Sequence, residues 1–280
     1  MKLFIYRFEA MTTPCELQIY SHNKSQADQS ANHILQEVKR LEKKFNYFSA
    51  DSYLSAINQR EVTHLDQESH TLLQRAKHYY TRTEKIFDIT IGTIKDLYRT
   101  STSLSQLQTE KERLQAFVGC EHFTLKKSKI TFNNPYTKID LGGFIKEYAI
   151  DRAVMLVKKR GIASALVDFG GDIYALGTKP NGHPYTIGLK DPKDPNCIAL
   201  HVILENEALT TSGSYERQNN IQNKSFSHIL SRKKETSLHH AVTIVSSSCL
   251  ESGVFSTSLC IDPSMKTPEG IRVYKFGYLF

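Results

Sequence analysis

The sequence predicts an α/β fold of the α+β kind, mixed β-sheets flanked by amphipathic helices, and three observations predict it. Alternating apolar runs open the chain, helical apolar spacing dominates its first third, and five β-rich runs crowd residues 164–247. Strands and helices do not alternate regularly, which counts against a doubly wound parallel sheet.

Residues 3–20 hold LFIYRF and CELQIY, separated by the turn Met11-Thr12-Thr13-Pro14, and predict two short strands or a hairpin. From Ala31 the positions Ile34, Leu35, Val38, Leu41 and Phe45 predict a first helix, with Glu and Lys on its other face. Ser49, Asp51 and Ser52 mark a loop, and residues 66–87 read as a second helix through Leu72, Leu73, Ala76, Tyr79 and Tyr80. FDITIGTIKDLY predicts a strand turning at Gly92 into a further helical stretch, and polar residues 101–115 a solvated connection or exposed helix. FTLKKSKITF reads as a hairpin centred on Lys-Ser. After Gly143 a helix follows on Ile145, Ala149, Ala153 and Leu156, and then the strands SALVDF, YTIGLK, IALHVIL, ALTTSG and HAVTIVSS.

At 280 residues the chain fits one large domain, residues 1–280, or two lobes sharing a core. A composition 40% hydrophobic and 23% charged excludes a disordered chain. No apolar window is long enough for a membrane span. The opening MKLFIYRFEA lacks the apolar core and cleavage site of a signal peptide, so a cytoplasmic protein is expected. Net charge is +7, yet no Lys/Arg block interleaves with aromatics as a nucleic-acid stripe would, and the excess speaks to association rather than to a site. Five scattered cysteines without a CxxC pair argue against a zinc site or disulfide framework and fit a reducing compartment.

Four segments could carry chemistry. In DLGGFIKEYAID, residues 140–151, the pair Gly142-Gly143 before a helix lets backbone amides approach a phosphate and Lys146 adds positive charge, although a plain turn explains the glycines equally. Asp168, Gly170, Gly171 and Asp172 form a second glycine turn, either carboxylates beside a flat ligand or turn chemistry alone. Thr210, Thr211 and Ser212 end a strand with hydroxyls suited to phosphate, and His228 follows, suited to proton transfer or to a structural role. The small-residue stretch 251–259 offers hydroxyls to a helix start or a metal, or simply packs closely.

In this order, DLGGFIKEYAID, DFGGD, TTSGSYER, SHILSRKKET and GVFSTSL resemble the motifs of the ApbE-type FAD:protein FMN transferases. FEAMTTP, FNYFSADSYLSAIN and FDITIGTIKDLY resemble that family's N-terminal segments, so the likeness spans roughly residues 8–260. The resemblance implies an ApbE-like fold that binds FAD and uses Mg²⁺. It implies transfer of FMN to a Thr or Ser hydroxyl of an acceptor flavoprotein with release of AMP, or hydrolysis of FAD to FMN and AMP. It places Met11, Asp140, Gly142, Gly143, Lys146, Asp168, Gly170, Gly171, Asp172, Thr211 and Ser212 against FAD, His228 and Lys146 at the reacting phosphate, and Thr257, Ile145 and Ser256 at the metal.

The sequence also departs from that pattern. Gly253 stands where the family has a metal-binding Asp, Glu147 replaces a glycine, Thr12 replaces another, and Ser231 replaces the acid after the histidine. A hard cation wants anionic oxygen. Glu251 is the nearest acid, though it lies six residues rather than four before Thr257 and on a helix would point elsewhere. Two readings stay open: a working enzyme with a rearranged cation site, or a catalytically impaired FAD-binding homologue.

Overall fold

A computed structural model describes residues 1–191, 194, 196–213, 218–222, 224–232 and 241–276. Its centre is a seven-stranded sheet. The hairpin β1 (Lys2–Ala10) and β2 (Thr13–Ser21) turns through Met11 and Thr12, both at positive φ, as a tight two-residue connection requires. On the other side of β2 runs β5 (Ser164–Phe169), then β6 (Asp172–Leu176), β9 (Glu207–Gly213), β12 (Ala241–Ser246) and β13 (Arg272–Phe276). Every ladder in this sheet is antiparallel, so the fold is α+β.

Three long helices cover one face. α1 (Lys24–Phe45) starts at an Asn23 cap whose side chain accepts from Ser25 N. It begins seven residues before the apolar spacing suggests, because its first two turns bury only the small residues Ala27 and Ser30. α7 (Ile145–Lys159) packs between α1 and α8 (Cys249–Ile261), and α8 lies across β9 and β12. Val167 and Phe169 of β5 face this helical layer, while Leu166 faces the opposite one. There the hairpin β7 (Tyr185–Lys190) and β8 (Ile198–Leu204) buries Tyr185, Leu189, Val202 and Leu204 against Ile173 and Leu209. Both faces of the central strands are therefore apolar.

The remaining elements form one flank. α2 (Tyr53–Asn58) and α3 (Gln67–Arg82) follow α1, with Ser52 and Asp66 as side-chain caps. The α3 helix ends five residues before the expected boundary, and Asp66 is its cap rather than its first residue. A correction falls on FDITIG: instead of a strand, Ile89–Ile91 form a 3₁₀ turn that leads into α4 (Gly92–Lys95) and α5 (Leu97–Thr100). Asp88 causes it, since its carboxylate accepts from both Thr90 N, at 2.8 Å, and Thr90 Oγ1, at 2.6 Å. Next come α6 (Leu104–Gln115), the hairpin β3 (Phe123–Lys126) and β4 (Lys129–Phe132), and the hairpin β10 (Gln218–Ile221) and β11 (Lys224–Ser227). Among the described residues no helix is long and apolar enough to cross a membrane.

Candidate functional site

A cleft of about 560 Å³ opens where three turns and two element ends converge. Its rim is the Met11-Thr12 turn of the first hairpin. Beside it sits the β5–β6 turn, where Gly170 has φ +67° and a Cβ there would lie 2.0 Å from Thr13 Oγ1. Only glycine allows these two turns to touch. Asp168 accepts a hydrogen bond from Gly171 N at 2.7 Å, and burial raises its carboxyl above the usual range. Asp168, Gly170 and Gly171 shape the turn and are not among the residues lining the cleft.

The loop before α7 forms one wall. Asp140, nearly buried, pairs with Lys95 and accepts from Gly142 N at 2.9 Å, which pins the glycine loop. No side chain caps α7, whose N-cap is Phe144, so no N-cap side chain occupies the helix start beside Gly142 and Gly143. Lys146 reaches across to Asp172, at 2.5 Å, and Asp172 also accepts from Thr211 N at 3.2 Å. Asp172 is 2% exposed, so this ammonium balances a carboxylate that water does not reach.

The floor is made of hydroxyls and one more acid. Ser212 Oγ shares hydrogen bonds with Ser256 Oγ at 2.8 Å and Thr257 Oγ1 at 3.1 Å, which ties the end of β9 to α8. Glu147, the residue after Lys146, is 6% exposed and lines the cleft, and its Oε2 has no hydrogen-bond partner. Burial pushes its carboxyl well up; Lys146 opposes this, and the nearby charge of Asp172 adds to it. His228 stands on the wall just past β11, and Met11 and Ile145 complete the inner lining.

Of the expected site residues, Met11, Asp140, Gly142, Gly143, Lys146, Asp172, Thr211, Ser212, His228, Ile145 and Thr257 share this one cleft. Ser256 is not on its surface: it is fully buried and its hydroxyl bonds to Gly253 O and Ser212. Glu251 points away from the cleft to Arg82, at 3.0 Å, in keeping with its offset from Thr257. Ser214–Arg217 of the TTSGSYER segment and the end of SHILSRKKET lie outside the described residues. Sequence reading missed the cleft mouth, where the exposed Phe48 has Lys95 Nζ 4.9 Å and Arg99 Cζ 4.6 Å from its ring centre. An aromatic at position 48 flanked by cations at 95 and 99 leaves no local signal.

The profile of the ApbE family matches residues 11–276. The chain belongs to the ApbE family. An FAD:protein FMN transferase of Klebsiella pneumoniae is 26% identical over 270 residues, which cover 92% of this chain and 82% of that protein. The ApbE protein of Thermotoga maritima superposes with a TM-score of 0.83 at 26% identity, over 92% of this chain and 86% of its own. The flavin transferase ApbE of Vibrio cholerae does so with a TM-score of 0.79 over 98% and 97% of the two chains, and at 20% identity shows a shared fold.

Against the ApbE pattern, two departures read separately in the sequence meet in space. A Cβ built on Gly253 would lie 2.5 Å from Glu147 Cγ and 3.1 Å from its Cδ. The Glu147 side chain occupies the space beside Gly253, so a carboxylate is present at this spot, carried by α7.

Proposed function

We propose that this ApbE-family chain, read as one domain over residues 1–280, transfers FMN from FAD to a threonine or serine hydroxyl of an acceptor flavoprotein and releases AMP. The observation that carries the reading is the single cleft that gathers the glycine-loop helix start, the Lys146–Asp172 pair, the Ser212–Thr257 hydroxyls and His228. Its relatives' names supply the chemistry.

In the reaction the acceptor hydroxyl oxygen bonds to the FMN phosphorus, the bond from that phosphorus to the AMP oxygen breaks, and AMP leaves with the electron pair. His228, on the cleft wall, takes the hydroxyl proton. The uncapped first turn of α7 and the Lys146 ammonium face the pyrophosphate charge. Asp140 holds the glycine loop at the distance a phosphate needs, and Met11 and Phe48 give the flat rings apolar contact near the rim and mouth.

The buried Glu147 carboxylate, whose Oε2 has no hydrogen-bond partner, shares the cleft with Asp172 and the Ser212 and Thr257 hydroxyls, oxygen donors of the kind a hard divalent cation takes, Mg²⁺ in this reading. Among the described residues no three His, Cys, Asp or Glu side chains gather, and with Asp172 paired to Lys146 the carboxylate that would hold the cation is Glu147. When bound, the cation would neutralise pyrophosphate charge and stabilise the departing AMP. Glu147, buried beside Gly253, supports the working-enzyme reading over the impaired-homologue one.

AMP release from FAD, followed chromatographically with a threonine-bearing acceptor domain and Mg²⁺, tests the proposal. His228→Ala is expected to slow release by about 10²- to 10⁴-fold with FAD affinity nearly unchanged. Equal rates in wild type and variant would refute the assigned proton acceptor, and no AMP from the wild type would refute the transferase.

A further inference from the structure

We infer that Glu147 is the anionic cation ligand of this cleft, reaching from α7 through the space left open above Gly253. The inference rests on the flavin-transfer reading for its purpose but on separate observations for its chemistry. Lys146 and Asp172 already balance one another at 2.5 Å. Glu147 adds a second carboxylate to the same cleft. Its Oε2 meets no donor, although the residue is 94% removed from solvent by its 6% exposure. A buried carboxylate oxygen without a donor is costly, and a divalent cation is the partner that satisfies it.

The surroundings are hard oxygens. Thr257 lies one helical turn beyond Gly253 on α8, on the same face, and its hydroxyl is held by Ser212 at 3.1 Å. Asp172 lines the same cleft as Glu147. Carboxylate and hydroxyl oxygens select Mg²⁺ or Mn²⁺ over softer metals. Gly253 is part of this design, because any side chain there would collide with Glu147 Cγ. Glu251, the other acid on this stretch of α8, is turned to Arg82 and takes no part.

Mn²⁺ titrated into the full chain, with the free-ion signal read by electron paramagnetic resonance, tests the assignment. Glu147→Gln should weaken Mn²⁺ binding at least about tenfold. Glu251→Gln should leave it unchanged. The double variant Glu147→Gly/Gly253→Asp, which carries the carboxylate on α8 instead, should bind Mn²⁺ better than Glu147→Gln, and keeps the test alive if the single variant misfolds. Wild-type protein that does not bind Mn²⁺, Glu147→Gln with undiminished affinity, or an equal loss in Glu251→Gln would each overturn the inference. Calorimetry of the wild type with FAD separates the two claims: absent FAD binding overturns the flavin reading, while the Mn²⁺ titration alone decides the role of Glu147.

Discussion

Gly253→Ala should change the sign of its effect on stability according to what stands at 147. Gly253 lies inside α8, where replacing glycine by alanine ordinarily adds about 1 kcal/mol through helix propensity. Here the new methyl would sit 2.5 Å from Glu147 Cγ, a mid-chain atom of a buried side chain that cannot swing to solvent. Overpacking of this kind costs about 1–3 kcal/mol, so the net change in the wild-type background is a loss of up to about 2 kcal/mol. With Glu147→Ala the three nearest obstructing atoms are gone, and Gly253→Ala should then stabilise by about 1 kcal/mol. Urea unfolding followed by far-UV circular dichroism on the four proteins of the cycle gives a coupling of about 1–3 kcal/mol if the packing is as described. A Gly253→Ala change that stabilises equally in both backgrounds would refute the contact and with it the shared space.

Lys146→Ala leaves Asp172, 2% exposed, without its counter-charge, and should lower the unfolding free energy by about 3 kcal/mol, with Lys146→Ala/Asp172→Asn recovering part of the loss. Asp151 accepts from Cys249 N and Leu250 N at the start of α8, and burial raises its carboxyl to about 6. The folded state therefore holds this proton more tightly than the unfolded state, whose carboxyl ionises near 3.8. From this group stability is full below about pH 4 and declines as pH rises to about 6, by roughly 3 kcal/mol at most. The difference in unfolding free energy between wild type and Asp151→Asn should accordingly move against the wild type across that window and then stay flat. A difference independent of pH would show that Asp151 titrates normally.

Much of the fold was legible because its signals are local. The alternation in β1 and β2, the apolar stripes of α1, α3 and α7, and the β-rich runs of β5, β7, β8, β9 and β12 each reflect one buried face or a continuous core strand. α8 left no stripe to read, since residues from Cys249 to Ile261 are buried on nearly every side between α7 and the sheet. Ile89-Thr90-Ile91 reads as strand by propensity, yet two hydrogen bonds to Asp88 decide for a 3₁₀ turn. In the site, the glycine loop and Lys146 were visible as motifs. Glu147 was visible only as a departure from the family's pattern, and its contact with Gly253 on another helix was not, since the two lie 106 positions apart in the sequence (253 − 147). Gly253→Asp, which from the sequence looks like a repair, is on this geometry a collision beside two existing carboxylates.

The central claim is that this cleft moves FMN onto a protein, and flavin fluorescence of an acceptor domain on a denaturing gel tests it most directly. Purified chain, FAD, Mg²⁺ and the acceptor, beside the same acceptor with its target threonine replaced by alanine, should give a fluorescent band with the threonine only, together with an equal amount of AMP. FMN and AMP appearing free in solution while the acceptor stays dark would contradict transfer and assign the cleft to FAD hydrolysis.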